Sequence, residues 1–159
     1  MNSSPLVQFA KKSLVESGGF GWLTADGQID PKKTLQAWIN FRMTYVFALE
    51  KVNGNQSVTR YLQHGLNAMR ELFTDEINGG FYTEVSKEAV LDPQKKAYDL
   101  AFALLALSAA TRAGDESAKS DLTKALFVFE KHFWRDDYGL VEESWNQEFS
   151  VGNQYHGLN

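Results

Sequence analysis

Cysteine is absent from this 159-residue chain, which excludes disulfides, thiolate metal sites and a cysteine nucleophile. No run of 18 or more apolar residues occurs, so no segment reads as a bilayer-spanning helix. Basic side chains number 16 against 20 acidic ones and form no block. A mildly acidic surface of that kind suits neither nucleic acid nor an anionic membrane. The opening Met1-Asn2-Ser3-Ser4-Pro5 carries neither the basic nor the apolar region of a secretory signal. No glycine-rich loop leads from a strand into a helix to cradle a phosphate. His64, His132 and His156 have no metal-ligand spacing to a partner. These absences leave a cytoplasmic enzyme or binding protein of about one domain.

What the chain has in excess is aromatic: 13% of residues, a share that fits either an aromatic-rich core or a cleft whose ring faces pack on sugars. It also repeats. Gly18-Gly19-Phe20-Gly21-Trp22-Leu23 recurs as Gly79-Gly80-Phe81-Tyr82-Thr83-Glu84, and more weakly as Tyr138-Gly139-Leu140-Val141-Glu142-Glu143. The spacing from Gly19 to Gly80 to Gly139 is 61 and then 59 positions, a period of about 60. Each copy joins a glycine turn to a short extended aromatic segment, where a helix stops and the chain passes through positive φ.

Two kinds of helix separate these turns. Lys33–Lys51 and Ala97–Ala110 are apolar nearly all round and read as buried on every face. Ser57–Phe73 and Ser117–Trp134 instead show an apolar stripe, as does the opening segment through Leu6, Phe9, Ala10 and Leu14. Alternation of buried and half-buried helices around recurrent glycine turns predicts an all-α protein, an α/α toroid of concentric layers. An ordinary helical bundle would leave the repeated turns unexplained. Six hairpins of this length would need about 360 residues, so residues 1–159 read as an incomplete domain of two to three hairpins.

Within the two apolar helices the charges are few. Tyrosine aside, Arg42 is the one ionisable residue between Lys33 and Glu50, and Asp99 the one between Lys96 and Arg112. A charge there needs a partner or a wet cavity. Trp38 and Arg42 are four apart and share a face, and Tyr98 adjoins Asp99. Two arrangements are open: a central cavity lined by Trp38, Arg42 and Tyr98, or a buried Arg42–Asp99 ion pair. Glu142 and Glu143 are adjacent on an extended segment, point to opposite faces and could not flank one glycosidic bond. His64 and His132 read as surface or helix-end residues, and His156 as lying at the mouth of a third inner helix.

Five motifs in order resemble the N-acylglucosamine 2-epimerase superfamily: Gly18-Gly19-Phe20-Gly21-Trp22-Leu23 with Asp26-Gly27; Trp38-Ile39-Asn40-Phe41-Arg42-Met43; Ala97-Tyr98-Asp99-Leu100-Ala101-Phe102; Val141-Glu142-Glu143-Ser144-Trp145; and Tyr155-His156-Gly157-Leu158-Asn159. The first two are most similar to its mannose isomerase and sulfoquinovose isomerase branch. The resemblance implies the N-terminal part of an (α/α)6 barrel. It also implies aldose–ketose isomerisation, or 2-epimerisation, of a monosaccharide through an enediol, with no metal or other cofactor. Arg42, Tyr98 and Asn159 match positions that bind the sugar and Trp38 a position on the cavity wall. The arginine usual between Tyr155 and Gly157 is replaced by His156. The acid and base histidines of the family belong to a second half, and none of the three here matches their motifs. The chain alone is therefore expected to be inactive, with an open barrel edge that drives self-association. Two other functions compete: a non-catalytic sugar-binding module, and an (α/α)6 glycoside hydrolase with Asp99 as acid, for which no second carboxylate shares the face.

Overall fold

The computed structural model describes residues 4–137 and 139–153. Helices α1 (Pro5–Ala10), α2 (Ala37–Val52), α3 (Thr59–Ala68), α4 (Ala97–Arg112) and α5 (Glu116–Val128) carry the fold. Strands are two or three residues long: β1 (Leu35–Gln36), β2 (Glu84–Val85), β3 (Val90–Asp92), β4 (Lys95–Lys96), β5 (Trp134–Arg135), β6 (Leu140–Val141) and β7 (Ser144–Trp145). No described helix is long and apolar enough to cross a membrane.

The sequence repeat is a structural repeat. Strand β1 and helix α2 recur 60 positions later as β4 and α4. The pairing Leu35–Val85 recurs as Lys95–Trp145. The turns close alike too, through antiparallel bridges Leu14–Phe20, Thr74–Phe81 and Trp134–Val141. Gly19, Gly80 and Gly139 sit in them at φ 76°, 72° and 62°, a region that costs a side-chain-bearing residue strain. Each inner helix hands over to an outer one through a short connection that carries a capping side chain, on the 3-10 turn Gln56–Val58 before α3 and directly on α5. Asn55 accepts from the Ser57 N–H, and Asp115 from the Ala118 N–H at 2.9 Å.

Helix α2 lies between α3 and α4, and α4 packs on α5, so α2 and α4 form an inner layer backed by α3 and α5. Phe20, Phe41, Phe47, Phe73, Leu62 and Leu66 are fully buried between the layers, each worth about 1.5–3 kcal/mol of burial. At Gly65 of α3 the backbones come close. A side chain there would overlap the Thr44 hydroxyl of α2, and the Gly65 carbonyl accepts from Asn40 Nδ2 at 3.3 Å.

Several expected boundaries shift. The inner helix expected at Lys33–Lys51 begins at Ala37, because Leu35 and Gln36 pair with β2 before the helix starts. The helix expected to end at Trp134 stops one residue sooner, and Trp134 opens β5. Both outer helices close in a five-residue π turn, Met69–Phe73 and Phe129–Phe133, which delivers Phe73 and Phe133 into the core. The stripe of the opening segment holds in its second half, where Ala10 and Leu14 pack against the core, and is corrected in its first: Leu6 and Phe9 are exposed and Val7 is the buried contact. The inner helices are not buried all round either. Tyr98 (54% exposed) and Leu105 (40%) mark one open face of α4, while Arg42 and Val46 open the corresponding face of α2.

Candidate functional site

The open faces of α2 and α4 meet at their N-terminal ends. Trp38 and Tyr98 are the second residues of the two helices, and Arg42 and Phe102 follow one turn later at equivalent positions of the repeat. The Arg42 guanidinium carbon lies 5.6 Å from the Trp38 ring centroid and 5.1 Å from that of Phe102. Tyr98 meets Phe102 edge-on at 5.0 Å, and Trp22 from the first glycine turn meets Trp38 edge-on at 5.4 Å. Lys33 Nζ stands 5.5 Å over Trp22 and closes the strip. The result is an aromatic wall carrying one exposed guanidinium. Arg42 forms no ion pair among the described residues, so its fork of donors is free toward the open side.

Asp99 takes no part in that wall. It is 1% exposed, on the buried side of α4, where the Thr83 hydroxyl lies 2.8 Å from its Oδ2 and the Trp38 backbone N–H donates to it. Burial pushes its carboxyl up to about 6, against the opposing pull of Thr83 and Lys96. Of the two arrangements open from sequence, the Arg42–Asp99 pair is not made. Trp38, Arg42 and Tyr98 do come together. A buried Asp99 also cannot reach a glycosidic oxygen. Asn159 and His156 lie outside the described residues.

The model of the family described as N-acylglucosamine 2-epimerase (GlcNAc 2-epimerase) matches residues 18–159. The chain belongs to the N-acylglucosamine 2-epimerase family. A D-mannose isomerase of Thermobifida fusca is 35% identical over 155 residues, covering 97% of this chain and 38% of its own length. One from Pseudomonas cannabina pv. alisalensis is 32% identical over 154 residues, covering 97% and 37%. This chain thus spans under two-fifths of the relatives that it matches. Among solved structures, a D-mannose isomerase superposes with a TM-score of 0.85 at 23% identity, over 96% of this chain and 41% of that one. The cellobiose 2-epimerase of Bacillus thermoamylovorans B4167 gives 0.81 at 20% identity, over 92% and 39%. At these identities the likeness is one of fold, and the fold is the (α/α)6 barrel, of which this chain forms part.

In this epimerase-family chain several functional-looking groups have structural work instead. His64, expected at the surface or a helix end, is half-buried within α3: its Nε2 is 2.8 Å from the Gly19 carbonyl and its ring meets Phe20 edge-on. His132 is likewise half-buried and stacks on Phe149 at 3.9 Å, its imidazole pKa lowered by burial and by Lys131. Glu142 is buried with Oε1 at 3.4 Å from Arg135, while the Glu143 carbonyl accepts from the Ala97 N–H at the start of α4. A cleft of about 270 Å³ opens beside His132, lined by Lys131, Trp134, Arg135 and Trp145. Among the described residues no three His, Asp or Glu side chains stand close enough to share a metal ion.

Sequence reading missed one pair altogether. Lys95 and Asp75, each 1% exposed, are joined at 2.8 Å. Asp75 also accepts from the Ile77 and Asn78 N–H groups, and Lys95 stands 4.3 Å over the Tyr82 ring. These donors hold the Asp75 carboxyl well below the usual carboxylate range despite burial, while burial lowers the Lys95 ammonium. The available signal was position: Lys95 stands where the first repeat has Leu35, and a lysine at a core register position calls for a buried acid.

Proposed function

We infer that this chain is the N-terminal part of a sugar isomerase of the mannose–fructose type, and that the strip Trp38–Arg42–Phe102–Tyr98 is its contribution to the sugar pocket. One observation carries the reading: an exposed guanidinium without a carboxylate partner among the described residues, held between aromatic rings on the inner layer of an epimerase-family fold. Aromatic faces pack against the C–H faces of a sugar. The Arg42 fork donates to oxygen, and it does so best where negative charge develops. Aldose–ketose interconversion moves a proton from the carbon next to the carbonyl through an enediol. In this reading Arg42 stabilises the oxygen that gains charge and the Tyr98 hydroxyl binds a neighbouring one, while Asn159 is assigned to the pocket by its match to the family motif alone.

The acid and base are not on this wall. His64 and His132 are engaged with Gly19 and Phe149, and neither belongs to the strip. The reading therefore makes the 159-residue chain inactive by itself, with proton transfer supplied by a further half of the barrel. The test is steady-state conversion of mannose to fructose by the full-length protein. Arg42→Ala is expected to lower kcat/KM by about 2–4 kcal/mol, and Arg42→Lys to recover little because an ammonium lacks the planar fork. Unchanged efficiency in Arg42→Ala would remove Arg42 from the site. Product at C2 without ketose would favour 2-epimerisation, to which the same enediol leads.

A further inference from the structure

The Thr83 hydroxyl has one proton and two acceptors. Its oxygen lies 2.8 Å from Asp99 Oδ2 and 3.1 Å from the Gln94 carbonyl. If Asp99 is ionised, these acceptors compete for a single hydrogen, and either the buried Asp99 charge or the carbonyl of the exposed Gln94 gives it up. If Asp99 is protonated, its O–H donates to Thr83, Thr83 donates to Gln94, and every group in the chain of bonds is paired.

The location gives this proton count a consequence. The Thr83 carbonyl accepts from the Ala37 N–H at 2.9 Å and its N–H donates to the Asp92 carbonyl at 3.0 Å, so Thr83 is fixed to the start of α2 and to β3. Asp99 belongs to the first turn of α4 and also accepts from the Trp38 N–H. Gln36, the residue before α2, caps nothing with its side chain, so the start of α2 is tied down by a residue of α4. The two residues whose rings form the wall, Trp38 and Tyr98, flank this joint.

We propose that Asp99 and Thr83 form a proton-dependent clasp between the two inner helices, making Asp99 a positioning residue whose proton sets the spacing of Trp38 and Tyr98. The charged surroundings leave burial in control. Lys96 favours the ionised form and Asp92 opposes it, but these two are paired with each other at 3.2 Å. Lys95 is committed to Asp75, and Arg42 of α2 is turned to the Trp38–Phe102 side. The partial positive charge at the start of α2 favours ionisation and is met by the Trp38 N–H bond. Burial outweighs it, in keeping with the raised Asp99 carboxyl.

The test is ¹³C NMR of the carboxyl of Asp99 and the backbone carbonyl of Gln94 in this chain between pH 4 and 8. The clasp requires an Asp99 midpoint near 6 and a Gln94 shift that moves with the same midpoint, because the Thr83 donor leaves Gln94 as Asp99 ionises. In Asp99→Asn the amide donates to Thr83 and its oxygen accepts from Trp38, so the Gln94 signal should stay constant over the range. An Asp99 midpoint near 4, or a Gln94 signal indifferent to it, overturns the clasp even if the variant does not fold. A second arm rests on the sugar reading: mannose affinity of the full-length protein is expected to fall as pH rises through the Asp99 midpoint, and to become flat there in Asp99→Asn. Absence of mannose binding at every pH would count against the sugar reading and leave the clasp standing. Binding in which Asp99→Asn keeps the wild-type pH profile would count against the positioning role.

Discussion

At Gly65 the absence of a side chain lets α3 lie on Thr44 and Phe20. Gly65→Ala is expected to cost about 1–3 kcal/mol through overpacking, even after alanine returns about 1 kcal/mol of helix propensity. A lowered urea midpoint at unchanged slope would show it, and an unchanged midpoint would mean that the layers can separate freely. Two buried carboxyls pull stability in opposite directions with pH. Asp75 is held below its unfolded value, so its contribution is present above about pH 4 and is lost as pH falls through its depressed pKa. Asp99 is raised to about 6, so its contribution is full below about pH 4 and is lost as pH rises through 6. The loss amounts to about 3 kcal/mol. Thermal melts are therefore expected to peak on the acid side, between about pH 4 and 5, and Asp99→Asn to flatten the fall toward neutrality. A wild-type optimum above pH 7 would contradict this.

Among the elements, the repeated unit is a glycine turn, a short strand, an inner helix and a capped outer helix ending in a π turn. The second copy departs from the first at Lys95, whose ion pair with Asp75 joins the β4–β7 pair to the Gly79–Gly80 turn. Lys95→Met leaves the Asp75 carboxylate buried without its cation and is expected to cost about 3–5 kcal/mol. Adding Asp75→Asn should return much of that, because Asn keeps an oxygen for the Ile77 and Asn78 N–H groups. A double-mutant cycle by denaturant unfolding measures the coupling, and additive costs would show that the two side chains act independently. The alternation of helix types and the glycine spacing were legible because they are local periodicities. The π turns were not, since a bulge shifts the register by one residue while leaving the apolar stripe of the outer helix intact.

For the whole molecule, an inner helix and an outer helix both present apolar side chains with nothing described over them. Tyr98 and Leu105 on α4, and Leu126 and Phe127 on α5, are 40–61% exposed. Covering each large side chain would gain roughly 1.5–3 kcal/mol, so the 159-residue chain is expected to self-associate. Sedimentation decides it: a monomer with a sharp cooperative unfolding transition would show that these faces are tolerated in water. The amino-acid sequence by itself determined the helices, their order, the 60-residue unit and the shared face of Trp38 and Arg42, because each depends on residues a few positions apart or on a repeated pattern. It also announced that Arg42 and Asp99 each needed a partner or a wet cavity, since a charge in an apolar helix is costly wherever the helix packs. Which partners they have was decided only in three dimensions. Phe102 came to Arg42 across the α2–α4 seam, and Thr83 came to Asp99 from a turn 16 positions away. Side-chain direction on neighbouring helices follows from how their surfaces interlock, and no local period encodes that.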